Sequence, residues 1–374
     1  MTAPIYVLGC GAIGSLLSVH LQRACPNTTI VPIFRSIKRL REFHERENII
    51  SVREAYKGYP KVTKQVFPIA TCTDLLIDKL RDTGPIENLI IACKTYQTAE
   101  ALAPFLPFLT PDSNIALFQN GLGVLEDLKA HNSDSTLKSN VFQGVMTHGV
   151  CQVEPGVYQH AGPGDCKFAR LSWDNNCFIQ SSDDIAHDVR NNTLVRSLLK
   201  TQDSLQMKFM TSQEMLLNQI QKFICNACIN PVTAILDCIN GELLHGSEAL
   251  FSDIIEECLQ VFNVVYRPLF NYEAKIKNQP NYPYLPVTDT LTVKNLLKSS
   301  IHIGCEINAT NSSSMRQDCL NVRDTEVDYI NGHITKLCEI HNLPVDYAKV
   351  NRTVTQLVKL RLNLNRARAA TTHT

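Results

Sequence analysis

The chain carries no excess charge of either sign. Lys+Arg and Asp+Glu are each 36, for a formal net charge of zero. A surface balanced in this way offers no general attraction to nucleic acid or to an anionic membrane. Aromatic residues make up only 7% and Trp occurs once; Trp173 and the aromatics near 266–284 read as packing residues rather than a base-stacking set. No apolar run approaches the roughly 20 residues that a membrane helix needs. The first residues lack the basic stretch, apolar stretch and cleavage site of a signal peptide. Cysteine is plentiful at 14, but without the spacing of a disulfide framework, so reduced thiols and a cytoplasmic location are expected. What remains is a protein whose partner is a small molecule bound at a local site.

What is present points to packed domains. Hydrophobic residues are 44% and charged residues 19% of 374, too long for one ordinary core and suited to two. The first half alternates apolar runs with helix-like stretches: strands at 5–8, 29–34, 88–93, 114–119 and 141–147, shorter ones at 48–52 and 62–70, and helices at 13–24 and 98–106. That alternation implies a parallel sheet with helices on its faces. Residues 150–172 read as extra strands at the edge of that sheet. A polar, poorly periodic connector over 174–206 separates a first domain, 1–205, from a helical one, 206–374. In the latter, helices are expected from Ser212, over 251–270, 323–341 and 350–362.

The clearest motif is Gly9-Cys10-Gly11-Ala12-Ile13-Gly14, a Gly-x-Gly-x-x-Gly between a strand and a helix. Gly9 allows the tight turn, Gly11 the close approach of a pyrophosphate, and Gly14 close packing of helix on strand. The phosphates then meet free N–H groups at the helix N-terminus, Ala12 and Ile13 among them. At the tip of the second strand stands Arg35, where an acidic residue would hold the ribose of NAD. A guanidinium suits a 2′-phosphate, so the cofactor expected is NADPH/NADP, with Lys38 and Arg39 near. Lys94 and Asn120 end two further strands, and strand C-termini line the binding crevice of an open parallel sheet.

In the second half, Lys222, Asn226 and Asn230 recur at i, i+4, i+8 in an otherwise apolar stretch. They share one helix stripe, roughly 12 Å long at 1.5 Å per residue. Buried, such groups need partners; facing water, they are an ordinary polar face, and spacing alone leaves both open. Pro231 is expected to break or kink that helix beside Asn230. Asn311–Asp318 reads as a polar turn or helix start containing Ser314. Asp324 or Thr325 could cap a helix whose first turn holds Glu326. Cys225 and Cys228 sit inside the 222–231 stretch and read as core cysteines rather than a metal or redox pair.

Taken together in order, these pieces resemble the ketopantoate reductases (2-dehydropantoate 2-reductases), the fungal members in particular. The matching segments are Gly9–Gly14, Arg35, Lys94-Thr95-Tyr96-Gln97, Gln119-Asn120-Gly121, Lys222–Pro231 with Thr233-Ala234, Ser312–Asp318 and Thr325–Gly332. The resemblance implies an α/β Rossmann domain followed by an all-α domain like that of 6-phosphogluconate dehydrogenase, with the active site in the cleft between them. It implies NADPH-dependent reduction of 2-dehydropantoate to (R)-pantoate, on the way to pantothenate and coenzyme A. Lys222 then matches the general acid and Glu326 the acidic residue that holds lysine and substrate. Asn226, Asn230 and Ser314 match substrate-binding positions, Asn120 a position near the nicotinamide, and Lys94 one near the cofactor. Two features depart from the pattern: the added polar length near 174–206 and 271–300, and Arg316 where an apolar residue is common. Reduction of another small 2-oxo acid, or a non-catalytic NADPH sensor or regulatory protein, are the competing readings. A homodimer is left open.

Overall fold

The computed structural model describes residues 2–56, 61–119, 122–131, 139–173, 177–276 and 279–371. Asn120 and Gly121 lie outside them. By its contacts the chain divides into two units, 1–120, 125–175 and 180–215 in one, 121–124, 176–179 and 216–374 in the other.

Among the described residues the first unit has twelve strands: β1 Ile5–Leu8, β2 Ile30–Phe34, β3 Ile49–Glu54, β4 Lys61–Val66, β5 Thr71–Cys72, β6 Asn88–Ile91, β7 Asn114–Phe118, β8 Asn140–Met146, β9 Gly149–Glu154, β10 Val157–Gly162, β11 Cys166–Leu171 and β12 Met207–Phe209. Eight form one sheet in the order β12-β11-β8-β7-β6-β1-β2-β5. Its centre is parallel: β1 pairs with β2 (Ile5 opposite Ile30) and with β6 (Ile5 opposite Asn88). Each central strand is buried on both faces, which is why these segments read as continuous apolar runs rather than alternations. Three helices bear on the ligand edge: α1 Ala12–Ala24, α2 Ile37–His44 and α3 Thr73–Thr83.

The remaining strands correct one expectation. Those of 149–162 do not extend the edge of the main sheet. They join the 49–66 strands in a separate four-stranded sheet, β4-β3-β10-β9, and only β11 pairs into the main one, antiparallel to β8. The polar 174–206 stretch is also more structured than its composition suggests. It holds helices Ser182–Asn191, Thr193–Leu199 and Gln202–Leu205. Ser181 and Asp184 form a reciprocal capping box for the first, and the Asn192 side chain caps the second. Asp188 is buried against Arg170 through two hydrogen bonds (2.8 and 2.5 Å). Asn192 donates to Asn114 (2.6 Å), which donates to Asn88 (3.1 Å), pinning the segment to the ends of β6 and β7.

The second unit is helical. Those of its helices that bear on the site are α4 Ser212–Leu236, which begins in the first unit, α5 Glu248–Val265, α6 Ser314–Leu320, α7 Asn331–Ile340 and α8 Lys349–Thr371. Phe223, Ala227, Cys228, Phe251, Phe262, Ile334 and Val358 lie in its core. No described helix is long and apolar enough to cross a membrane.

Candidate active site

In the first unit a cavity of about 540 Å³ opens at the C-terminal ends of β1, β2 and β6. Its floor is the glycine turn. Gly9 adopts φ +98°, and a Cβ there would stand 2.6 Å from the Cys93 nitrogen and 2.8 Å from the Ala92 carbonyl carbon. A Cβ on Gly14 would collide with the Gly9 carbonyl oxygen and lie 3.3 Å from the Ala92 methyl. Gly11, the N-cap of α1, faces open space and supplies no capping side chain. The first N–H groups of α1, from Ala12 and Ile13 onward, therefore lack a side-chain cap, as a phosphate site requires. One wall is β2 and α2, with Phe34, Arg35, Arg39, Glu42 and Phe43; another is Cys93, Gln97 and Glu100 after β6; Thr73 and Asp74 open α3. The donor set and this cradle fit a dinucleotide carrying a 2′-phosphate.

Arg35 projects exposed from the tip of β2. Lys94 is half-buried where β6 gives way to a short 3-10 turn, and its carbonyl accepts from Gln97 N–H (2.9 Å). Gln119, at the end of β7, donates to the Cys93 carbonyl (2.9 Å) and to the Thr98 hydroxyl, tying two strand ends together. Among the cavity residues that escaped sequence reasoning are Arg46, Gln152, Gly156 and Tyr158. The Tyr158 hydroxyl donates to the Cys10 carbonyl at 2.9 Å, so the small sheet braces the glycine turn from a distance in sequence that no local pattern reveals.

In the second unit α4 carries the polar stripe. Lys222, Asn226 and Asn230 are each half-buried. The helix does not break at Pro231; it runs to Leu236 with the proline inside. Proline has no N–H for the carbonyl four residues back, here Ala227. That carbonyl is instead satisfied by Asn331, which is fully buried and donates to it at 3.0 Å. Asn331 also donates to Asn351 (3.0 Å), whose own amide and backbone reach the Glu257 carboxylate (both 2.9 Å). A second correction concerns the segment before it. No helix starts at 323: Glu326 precedes a 3-10 turn, Val327–Tyr329, and the regular helix begins only at Asn331. Glu326 itself is 6% exposed, so it is not the solvated first-turn charge that its position suggests.

Two more segments close on this turn and on α4. Leu122 N–H donates to the Tyr329 carbonyl (3.4 Å), and Gly123, at φ +90°, lies against the His333 ring, where a Cβ would meet Nδ1 at 2.6 Å. His333 stacks edge-on to Phe223 of α4 at 6.2 Å. Near Asn230, the Ser313 hydroxyl lies 2.7 Å from that of Thr233, which donates to the Ile229 and Asn230 carbonyls (2.8 and 3.0 Å). Ser313 caps α6 by accepting from Arg316 N–H (3.1 Å), leaving Ser314 exposed in its first turn. Arg316 binds Asp237 (2.9 Å) and the Ser312 hydroxyl (2.9 Å). Its charge is thus partnered within the protein. The 312–316 and 326–333 segments therefore dock on the helix that bears the stripe, one at Asn230–Thr233 and the other at Phe223–Ala227. Cys225 and Cys228 pack on the inner side of α4, and burial pushes the Cys225 thiol up to about 11.

A model of the family described as ketopantoate reductase PanE/ApbA matches residues 5–173, and the model of its C-terminal part matches 214–362. The chain belongs to the ketopantoate reductase family. It is 44% identical to the 2-dehydropantoate 2-reductase of Saccharomyces cerevisiae, over 99% of this chain and 98% of that one. Among solved structures, a D-mandelate dehydrogenase with NADH and anilino(oxo)acetate gives a TM-score of 0.70 at 18% identity, covering 97% and 99% of the two chains. A dimeric ketopantoate reductase from Staphylococcus aureus gives 0.62 at 19% identity with the same coverage. These two share the fold.

Proposed function

We propose that this chain reduces 2-dehydropantoate to (R)-pantoate with NADPH, and that Lys222 is its general acid. The observation that carries the reading is the α4 stripe: a lysine and two amides in register on one half-buried helix face, with the Ser313 and Glu326 segments docked on the same helix.

NADPH, when bound, supplies the hydride; the glycine turn, the N-terminus of α1 and Arg35 would hold it, and the family resemblance adds Lys94 and Asn120. The chain's own work is then proton delivery and orientation. As the 2-oxo group is reduced, charge builds on its oxygen. The Lys222 ammonium donates a proton to that oxygen and stabilises it beforehand. A carboxylate at Glu326 favours the charged lysine and orients it. Asn226, Asn230 and Ser314 offer neutral donors and acceptors for the substrate's carboxylate and hydroxyl, which adds no opposing charge.

NADPH oxidation followed at 340 nm with 2-dehydropantoate, beside NADH and a panel of small 2-oxo acids, tests the reading. The ranking by kcat/KM names the substrate. Lys222→Ala should lower kcat about 10²-fold or more; near wild-type turnover refutes its role. NADPH binding without turnover of any 2-oxo acid would identify a sensor instead. We also read the protein as cytoplasmic, on its reduced cysteines, and as a homodimer like the Staphylococcus aureus protein; fractionation and light scattering test these two.

A further inference from the structure

Three arginines line the nucleotide cavity, and they differ in what already holds them. Arg39 is paired with Glu42 at 3.0 Å. Arg35 stands exposed at the tip of β2. Arg46 is half-buried, forms no ion pair with any described carboxylate, and its Nε is buried without an acceptor. Its backbone is fixed on both sides: its N–H donates to the Phe43 carbonyl (3.1 Å) and its own carbonyl accepts from Ile49 (3.1 Å). Glu47 and Asn48 follow in the left-handed region, at φ +56° and +58°. That strained turn joins α2 to β3 and sets the direction in which Arg46 leaves the chain. The stem of Arg46 lies over Gly156, in the turn between β9 and β10. A Cβ at Gly156 would come 3.1 Å from Nε and 3.6 Å from Cδ. The small sheet thus leaves a groove for the Arg46 stem and no acceptor for its Nε.

A buried N–H without an acceptor is costly, so the Nε of Arg46 is placed to be satisfied by an anion that arrives with a ligand. The carboxylates of the cavity are Glu42, already paired, Asp74 and Glu100. Resting on the NADPH reading above, we infer that Arg46 is the second guanidinium of the 2′-phosphate site and a determinant of NADPH over NADH. The chemistry it recognises is a nucleotide phosphate, which the cofactor offers in two places. Arg46 enters from the α2–β3 turn and Arg35 from the β2 tip, and the Phe34 and Phe43 rings, 4.8 Å apart, join the two ends of α2 into one wall. The 2′-phosphate is therefore its partner rather than the pyrophosphate at α1.

Equilibrium binding of NADPH, NADH, 2′,5′-ADP and 5′-AMP to the full chain separates the cases. Arg46→Met should weaken NADPH and 2′,5′-ADP at least 10-fold and change NADH and 5′-AMP less than about 2-fold, as loss of one charge-assisted contact predicts. Arg46→Lys, which keeps stem and charge, should lose less. Gly156→Ala, pressing on Nε from the other element, should reproduce the selective loss. An equal loss for all four ligands would move Arg46 to the pyrophosphate and overturn the inference; so would unchanged binding of all four. Wild-type protein that fails to bind NADPH would instead sink the cofactor reading beneath it.

Discussion

The proline inside α4 yields a prediction with its magnitude set by counted hydrogen bonds. Asn331 spends its amide on two buried acceptors, the Ala227 carbonyl that Pro231 leaves open and the Asn351 side chain, each at 3.0 Å. Asn331→Ala strands the first and leaves the second with only the Cys258 thiol at 3.9 Å. At about 1–3 kcal/mol for a buried acceptor left unmade, and about 1 for Asn351, which keeps the thiol, the substitution should cost about 2–4 kcal/mol. Pro231→Ala restores an N–H aimed along the helix at that same carbonyl. A carbonyl has two lone pairs, so the single Pro231→Ala variant tolerates both donors. In its background, Asn331→Ala no longer strands Ala227, and its cost should fall by about 1–2 kcal/mol. Urea unfolding followed by far-UV circular dichroism, which weights the helical unit, reads the four corners of the cycle. Hydrogen exchange at Ala227–Ile235 locates the effect on α4. If Asn331→Ala costs the same in both backgrounds, within the roughly 0.5 kcal/mol by which independent sites add, then Asn331 does not replace the proline's missing bond. The reasoning would fail with it.

Other outcomes follow from the same coordinates. Burial holds the His20 imidazole down to about 4 from 6.5, against the pull of Glu54 and with help from His160, His148 and Arg23; the unfolded chain therefore protonates first, and the stability His20 contributes is full above about pH 6.5 and lost as pH falls toward 4. Replacing it by Leu should remove about 2–3 kcal/mol of acid destabilisation at pH 4.5 relative to pH 7.5, and an unchanged difference in urea midpoints between those pH values would count against this. Gly14→Ala should weaken NADPH binding about 10-fold or more, because its Cβ would collide with the Gly9 carbonyl oxygen and displace the glycine turn; retained affinity in a binding titration would contradict that. Glu257→Gln should cost about 1–3 kcal/mol in thermal or urea unfolding, since the carboxylate takes the Val350 and Asn351 N–H groups at the start of α8 (2.7 and 2.9 Å), and a neutral result would show that the charge is dispensable there.

The parts legible in the sequence were those whose cause is local. Residues 5–8, 88–91 and 114–118 are buried on both faces, so their apolar runs announce strands. The glycine turn announces itself by its own spacing between β1 and α1, although Gly9 also packs against Ala92 and Cys93 far along the chain. The parts not legible depend on partners far along the chain. Nothing in 149–162 tells that β10 will pair with β3, more than a hundred residues earlier, rather than with the main sheet. Asp188 reads as surface until Arg170 is placed beside it. Helix capping by Ser181 and Asn192 was present in the sequence, but short helices with little periodicity gave it nothing to punctuate.

Pro231 shows how a local rule fails usefully. The rule that proline ends or bends a helix describes what the backbone loses, one donor and some steric room. It does not say what the rest of the protein supplies. Here the lost donor is replaced from α7, five residues beyond Glu326, so the defect in one helix is the socket for the segment that carries the proposed carboxylate. A helix with an ordinary residue at 231 would already satisfy that carbonyl, and Asn331 would add a second donor rather than supply the missing one. The same proline therefore destabilises α4 in isolation and specifies the register of Glu326 against it. That coupling holds together two of the segments that carry the resemblance to the family, 222–234 and 325–332.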